Sequence, residues 1–160
     1  KEFKHSKFKG QELKLDFSGK EIDEGQNQEV LPPHYHYAGF DIVNESIVSD
    51  TSLFITEKTW KPILYNKIFI VHGSKDTIKF LINNDFKPYT ELYNHEAFDH
   101  LPYNERYSAM WNEIEKLMQY TPEDWTEIYQ REDIKAKINH NRTVFENMLV
   151  PNWKGDCNAG

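Results

Sequence analysis

The stretch that most constrains this chain runs from Gly39 to Gly73 and reads GFDIVNESIVSDTSLFITEKTWKPILYNKIFIVHG. Ala38 to Val43 reads as a strand, and Asn44 to Ser52 as a polar loop. Leu53-Phe54-Ile55 is a short apolar anchor, and helix is expected from about Thr56. Lys67 to Val71 is a continuous apolar run of the kind buried in parallel sheets. Strand, loop, helix, strand is the unit whose crossover is right-handed in parallel sheets, and its strand-to-helix loops hold ligands. Thr56 carries the hydroxyl expected of an N-cap. Pro62 leaves the helix start open. With Thr56 as cap it falls inside the helix and removes a hydrogen bond, whereas a helix starting near Thr59 accommodates it freely.

The alternation continues past Gly73. Ser74 is expected to cap a second helix with Ile78, Leu81 and Ile82 on its inner face. Asn84-Asp85 would end it, and Phe86 would open a short extended piece. The expected fold is therefore α/β, half of a doubly wound, Rossmann-like parallel sheet. From Pro102 the pattern turns helical. Tyr107, Met110, Trp111, Ile114, Leu117 and Met118 form one apolar stripe. Thr121-Pro122-Glu123-Asp124 combines a hydroxyl cap, a proline at the first helical position and first-turn acids. Trp125, Ile128, Tyr129, Ile134, Ile138, Phe145, Met148 and Leu149 then make a second helical region. Both stripes are expected to be core packing that closes the domain.

The chain has 160 residues, 38% of them hydrophobic and 14% aromatic, enough for one domain with a real core. Three segments are expected: a linker-like stretch 1–31, a domain 32–150 and a tail 151–160. In the first, Leu13, Leu15 and Phe17 alternate as one strand would, ended by Ser18-Gly19. The absence of an initiator methionine or a strong opening element predicts that the chain starts inside a larger protein. His34 and His36 point the same way on an extended segment, but no third ligand follows at a suitable spacing. They are read as rim residues rather than metal ligands.

Nineteen basic residues against 26 acidic ones leave a net charge of −7, which disfavours a nucleic-acid footprint. The single Cys157 excludes an internal disulfide and suits a reducing compartment. No run approaches the 18 or so apolar residues of a membrane span. Asn44-Glu45-Ser46 and Asn141-Arg142-Thr143 match the glycosylation tripeptide, which is common by chance. The chain is expected to be cytoplasmic, without a membrane span.

Chemistry concentrates at Thr56-Glu57-Lys58, where a strand-led loop meets a helix. First-turn amides and the helix dipole favour an anion there, and Lys58 adds a full charge suited to a diphosphate. Glu57 offers two acceptor oxygens to a pair of vicinal hydroxyls such as those of a ribose. The competing reading is an acid at a helix start beside a solvated lysine, both ordinary surface residues. His72, at the carboxyl end of a buried strand, is placed to face a cleft, or to serve as a hydrogen-bonded rim residue.

The pattern NES…SDTSLFITEKTWKP…KIFIVHG resembles the donor-binding segment of the α-1,3-fucosyltransferase family and of related viral and bacterial glycosyltransferases. That family carries an F-E-N-S element, an aspartate, an aromatic residue, then T-E-K, a helix and a buried strand ending near a glycine. Asn44, Glu45 and Ser46 stand for the first element, Asp50 for the aspartate and Phe54 for the aromatic, with Thr56, Glu57 and Lys58 matching in order. The resemblance covers about 35 of the 160 residues. It departs in the exchanged Asn and Glu, in a longer gap before Thr56, in Phe54 where tyrosine is usual, and in Thr59-Trp60-Lys61-Pro62 after the lysine.

The resemblance implies that Glu57 holds a ribose, that Lys58 meets a diphosphate, and that Asn44 and Phe54 line the same pocket. It implies a carboxy-terminal, donor-binding domain of the GT-B type, with the catalytic base on a partner acceptor domain. The expected activity is transfer of a sugar from a nucleoside-diphosphate sugar to a glycan or other acceptor. No catalytic residue is assigned to this chain, and no metal or further cofactor is implied. The alternative is a non-catalytic module that binds a nucleotide or glycan, or serves as an interaction surface. An enzyme that adds sugars to DNA is a third reading, disfavoured by the acidic balance.

Overall fold

The computed structural model describes residues 6–8, 11–13, 35 and 37–149. His34, His36, Cys157 and most of the segments 1–31 and 151–160 lie outside the described residues, as do Leu15 and Phe17. Two short strands, β1 (Ser6–Phe8) and β2 (Gln11–Leu13), pair antiparallel, with Leu13 opposite Ser6.

The centre is a β-α-β unit. Strand β3 (Asp41–Asn44) pairs in parallel with β4 (Phe69–His72), Asp41 opposite Phe69 and Asn44 opposite His72. Helix α1 (Glu57–Leu64) connects them. All of β4 is buried, as its unbroken apolar run predicts, whereas β3 buries Val43 and exposes Ile42. Thr56 is the N-cap of α1, its hydroxyl accepting from the Lys58 amide at 3.3 Å, so Pro62 does lie inside the helix. Two residues later the helix ends. Asn66 takes a left-handed φ of 56° and donates to Ile63, while Lys67 donates to the Pro62 carbonyl, the paired closure that satisfies a helix C-terminus.

Helix α2 (Thr77–Asn83) follows, but Ser74 does not cap it. The cap comes from Asp99, whose carboxylate accepts from the amides of Ile78 and Lys79, both at 2.9 Å. Ser74 instead accepts from the Ser49 amide. Ile78 and Leu81 are buried as expected, but Ile82 is exposed and Phe80 takes its place inside.

The extended piece at Phe86 adds no strand. Phe86 plugs into the core, and the backbone amide and carbonyl of Lys87 both pair with the side chain of Asn141, at 2.7 and 3.0 Å. Where a third strand would lie, phenol groups stand instead. Tyr93 donates there to the Phe69 carbonyl at 3.0 Å and the Tyr89 hydroxyl reaches toward the Lys67 carbonyl, whereas Tyr129 accepts from the Ile68 amide at 3.0 Å on the side of β3, where the Ile68 carbonyl takes the Asp41 amide. Among the described residues the parallel sheet therefore has two strands.

Three helices close the unit: α3 (Tyr103–Leu117), α4 (Pro122–Gln130) and α5 (Glu132–Leu149). The Thr121–Asp124 capping box forms at α4 as its sequence predicts. The second helical region is broken at Arg131, whose extended backbone separates α4 from α5. On α3 the buried face is Arg106, Met110, Glu113, Ile114 and Leu117, whereas Tyr107, Trp111 and Met118 are exposed. Half of the expected apolar stripe therefore faces outward. Trp60 of α1 is buried between Phe86 and Phe145 at ring separations of 5.7 and 5.3 Å, joining the crossover helix to α5. The fold is mixed α/β, with five helices and a small parallel sheet among the described residues. No helix among these residues is long and apolar enough to cross a membrane.

Candidate functional site

The carboxyl ends of β3 and β4 meet the amino-terminal end of α1. Leaving β3 at Asn44, the chain turns inward at Glu45, which is only 6% exposed. Its carboxylate accepts from the Thr56 amide at 3.0 Å, the Thr56 hydroxyl at 2.6 Å and the Thr59 hydroxyl at 2.5 Å. A buried carboxylate held by three donors is satisfied and committed. Glu45 and Thr56 therefore shape the loop and the helix start, and the groups that face solvent lie on either side of them.

Ser46 and Lys58 meet over that latch. The Lys58 ammonium donates to the Ser46 hydroxyl at 2.9 Å and to Glu57 at 2.9 Å. Ser46 and Glu57 are exposed and Lys58 is half-buried. Partial burial pushes the Glu57 carboxyl up, but the hydrogen bond and charge from Lys58, with local backbone and Thr56 contacts, hold it below its ordinary value. The three side chains thus present a cation, a carboxylate and a hydroxyl at the start of one helix. Chemically, the ammonium can pair with an anion and the carboxylate can accept from hydroxyl groups.

At the neighbouring strand end, His72 is 8% exposed and its Nδ1 lies 3.1 Å from the Asn44 side-chain oxygen. The imidazole packs against Tyr103 and Tyr107 at centroid distances of 6.1 and 5.2 Å. Behind them Arg106, 2% exposed, pairs with Asp50 at 2.9 Å and donates to the Leu101 carbonyl. Asp50 also accepts from the Tyr103 amide at 3.1 Å, so it stands at the start of α3. Burial, and then the Arg106 charge, hold the His72 pKa below its ordinary value. The imidazole is accordingly neutral at neutral pH. Its Nε2 has no protein partner among the described residues, nor have Nε and Nη2 of Arg106.

The residues singled out by sequence fall into three hydrogen-bonded groups: Glu45 with Thr56, Ser46 with Glu57 and Lys58, and Asn44 with His72. Phe54 is half-buried in the loop that leads into α1. Tyr103 and Arg106 escaped the sequence reading, in which Thr59 is only a possible helix start and Tyr107 only part of an apolar core stripe. Arg106 and Glu113 carried a usable signal, because 106, 110, 113 and 117 share one face of α3 and a charge on such a face must be paired. Among the described residues, no group of three or more His, Cys, Asp or Glu side chains is arranged to hold a metal ion. No protein-family model, curated protein or solved structure matches this chain.

Proposed function

We propose that this chain is the nucleotide-sugar-binding half of a glycosyltransferase of the GT-B type. On this reading Lys58 meets the donor diphosphate, Glu57 holds the ribose, and Asn44, Ser46 and Phe54 line the pocket. The observation that carries it is the joint placement of Lys58, Glu57 and Ser46 where β3 feeds α1, since carboxyl-terminal strand ends are where open α/β sheets bind ligands. A lysine already held between a hydroxyl and a carboxylate is pre-positioned, so less side-chain freedom is lost when a phosphate arrives.

In the reaction, the bond between the anomeric carbon and the diphosphate breaks and negative charge grows on the leaving oxygen. Lys58 and the start of α1 stabilise that charge through fixed electrostatics. The acceptor, a glycan or another hydroxyl-bearing molecule, and the base that takes its proton belong to a partner acceptor domain.

The test is a thermal-shift screen of the chain against GDP, UDP, ADP and CMP and their sugars. A ligand at a hundred times its dissociation constant adds about 2.7 kcal/mol. Selective stabilisation by one nucleoside diphosphate supports the donor reading and names the base. A flat screen on folded protein rejects it for this chain, in favour of a non-catalytic interaction module.

A further inference from the structure

A separate cavity of about 340 Å³ opens between the loop Asp50–Leu53 and the side of α2 that carries Lys79, Phe80 and Asn83. Its size is near the lower end of small-molecule pockets, which run from roughly 300 to 1,000 Å³. Both walls are built. Ser49 ties the loop to the β4–α2 corner, its carbonyl accepting from Lys75 and its amide donating to Ser74. The Ser49 hydroxyl in turn accepts from the amides of Thr51 and Ser52, at 3.1 and 3.2 Å. A cavity with latched walls is present before its ligand and costs little to organise.

The lining is of three kinds. Phe80 and Leu53 supply an apolar floor. Thr51, Ser52 and Asn83 supply hydroxyl and amide groups. Asn84 spends one side-chain N–H on the Phe80 carbonyl, which leaves its oxygen and its second N–H to offer. Lys75 and Lys79 supply charge. Of the two carboxylates in the lining, Asp76 lies 3.9 Å from Lys79, and Asp50 is already paired with Arg106. The lining thus holds as many lysines as carboxylates, but with Asp50 taken by Arg106 from outside the cavity and Asp76 nearest Lys79, Lys75 is in ion-pair contact with neither. An apolar floor under a hydroxyl and amide rim suits the two faces of a sugar ring, and Lys75, which neither carboxylate pairs, suits a phosphate.

We infer that this cavity binds a monosaccharide phosphate, with the phosphate at Lys75 and Lys79 and the ring over Phe80. The inference rests on the cavity's own lining and does not require a nucleotide at Glu57 and Lys58.

Glucose 1-phosphate, glucose and inorganic phosphate, titrated separately while amide resonances are followed by NMR, test it. Glucose 1-phosphate is expected to move the amides of Thr51, Ser52, Lys75 and Asn83, at least tenfold more tightly than glucose or phosphate alone. The double variant K75Q/K79Q, which alters exposed side chains, is expected to lose at least tenfold in that affinity while keeping its other resonances. Equal affinity for phosphate and glucose 1-phosphate would reduce the cavity to a general anion patch and overturn the inference. So would binding unchanged in the double variant, or no shift at 20 mM. Nucleoside diphosphates are titrated in parallel and read at the Glu57 and Lys58 amides, so either reading can fail alone.

Discussion

One carboxylate oxygen of Glu45 accepts from both the Thr56 amide and the Thr59 hydroxyl, at 3.0 and 2.5 Å, and so bridges the N-cap and first turn of α1. The other takes the Thr56 hydroxyl at 2.6 Å. The loop that would carry a ligand is therefore fastened to the helix by a residue that does not itself face the ligand. Glu45→Ala would leave three buried donors unsatisfied, at about 1–3 kcal/mol for each group left without a partner. Urea denaturation should show a loss of about 3 kcal/mol or more. A loss under about 1 kcal/mol would mean the latch is incidental.

Lys58→Ala should behave in the opposite way. Lys58 and Glu57 form an exposed pair, and such pairs contribute about 0–1 kcal/mol, so stability should barely change. Affinity for a nucleoside diphosphate should fall roughly tenfold or more, in line with a hydrogen bond to a charged group, while the free nucleoside is little affected. Glu57→Ala should weaken both. Calorimetric titration of the two variants separates these outcomes, and equal, negligible effects would remove the pocket from consideration.

His72 predicts a pH dependence. Its folded pKa lies below the usual value of about 6.5 because burial and then the Arg106 charge disfavour the imidazolium. In the window between the folded value and about 6.5, the unfolded chain binds more protons than the native one. Stability must therefore rise with pH through that window. This contribution is complete above about 6.5 and disappears as pH falls through the folded value. His72→Gln should remove the slope, measured as the difference between wild-type and variant urea midpoints from pH 4.5 to 7.5. A difference that grows in the other direction would contradict the assignment.

Gly39 is a packing requirement. A Cβ built there would lie 2.4 Å from Cδ1 of Trp125, inside the indole itself. The ring also stacks on Phe40 at 5.5 Å and so has little room to retreat. Gly39→Ala should cost about 1–3 kcal/mol, as overpacking does, and should change the tryptophan fluorescence. A thermal melt superimposing on that of the wild type would show that the α4 contact yields freely.

The β-α-β unit and the start of α4 were legible because their elements carry local signatures: the unbroken run of β4, the Thr56 cap, the Thr121–Asp124 box. The elements that were not legible depend on distant partners. Ser74 has the hydroxyl of a cap, but Asp99, more than 20 residues later, supplies the acceptors. The Phe86 segment has the composition of a strand, but Asn141 takes its backbone groups first. Within the site, the T-E-K run marked the helix start, while the roles of Glu45 and Arg106 needed coordinates. A buried carboxylate and a solvated one look alike in a sequence.

The phenols along β4 bear on behaviour at high concentration. An open strand edge is a template on which a second molecule can add a strand and begin to aggregate. Tyr93 covers that edge by donating to the Phe69 carbonyl, in place of the lysines or prolines that often guard one. Tyr93→Phe would keep the ring and leave the Phe69 carbonyl without its donor. This face then becomes the first place to look if the protein forms fibrils.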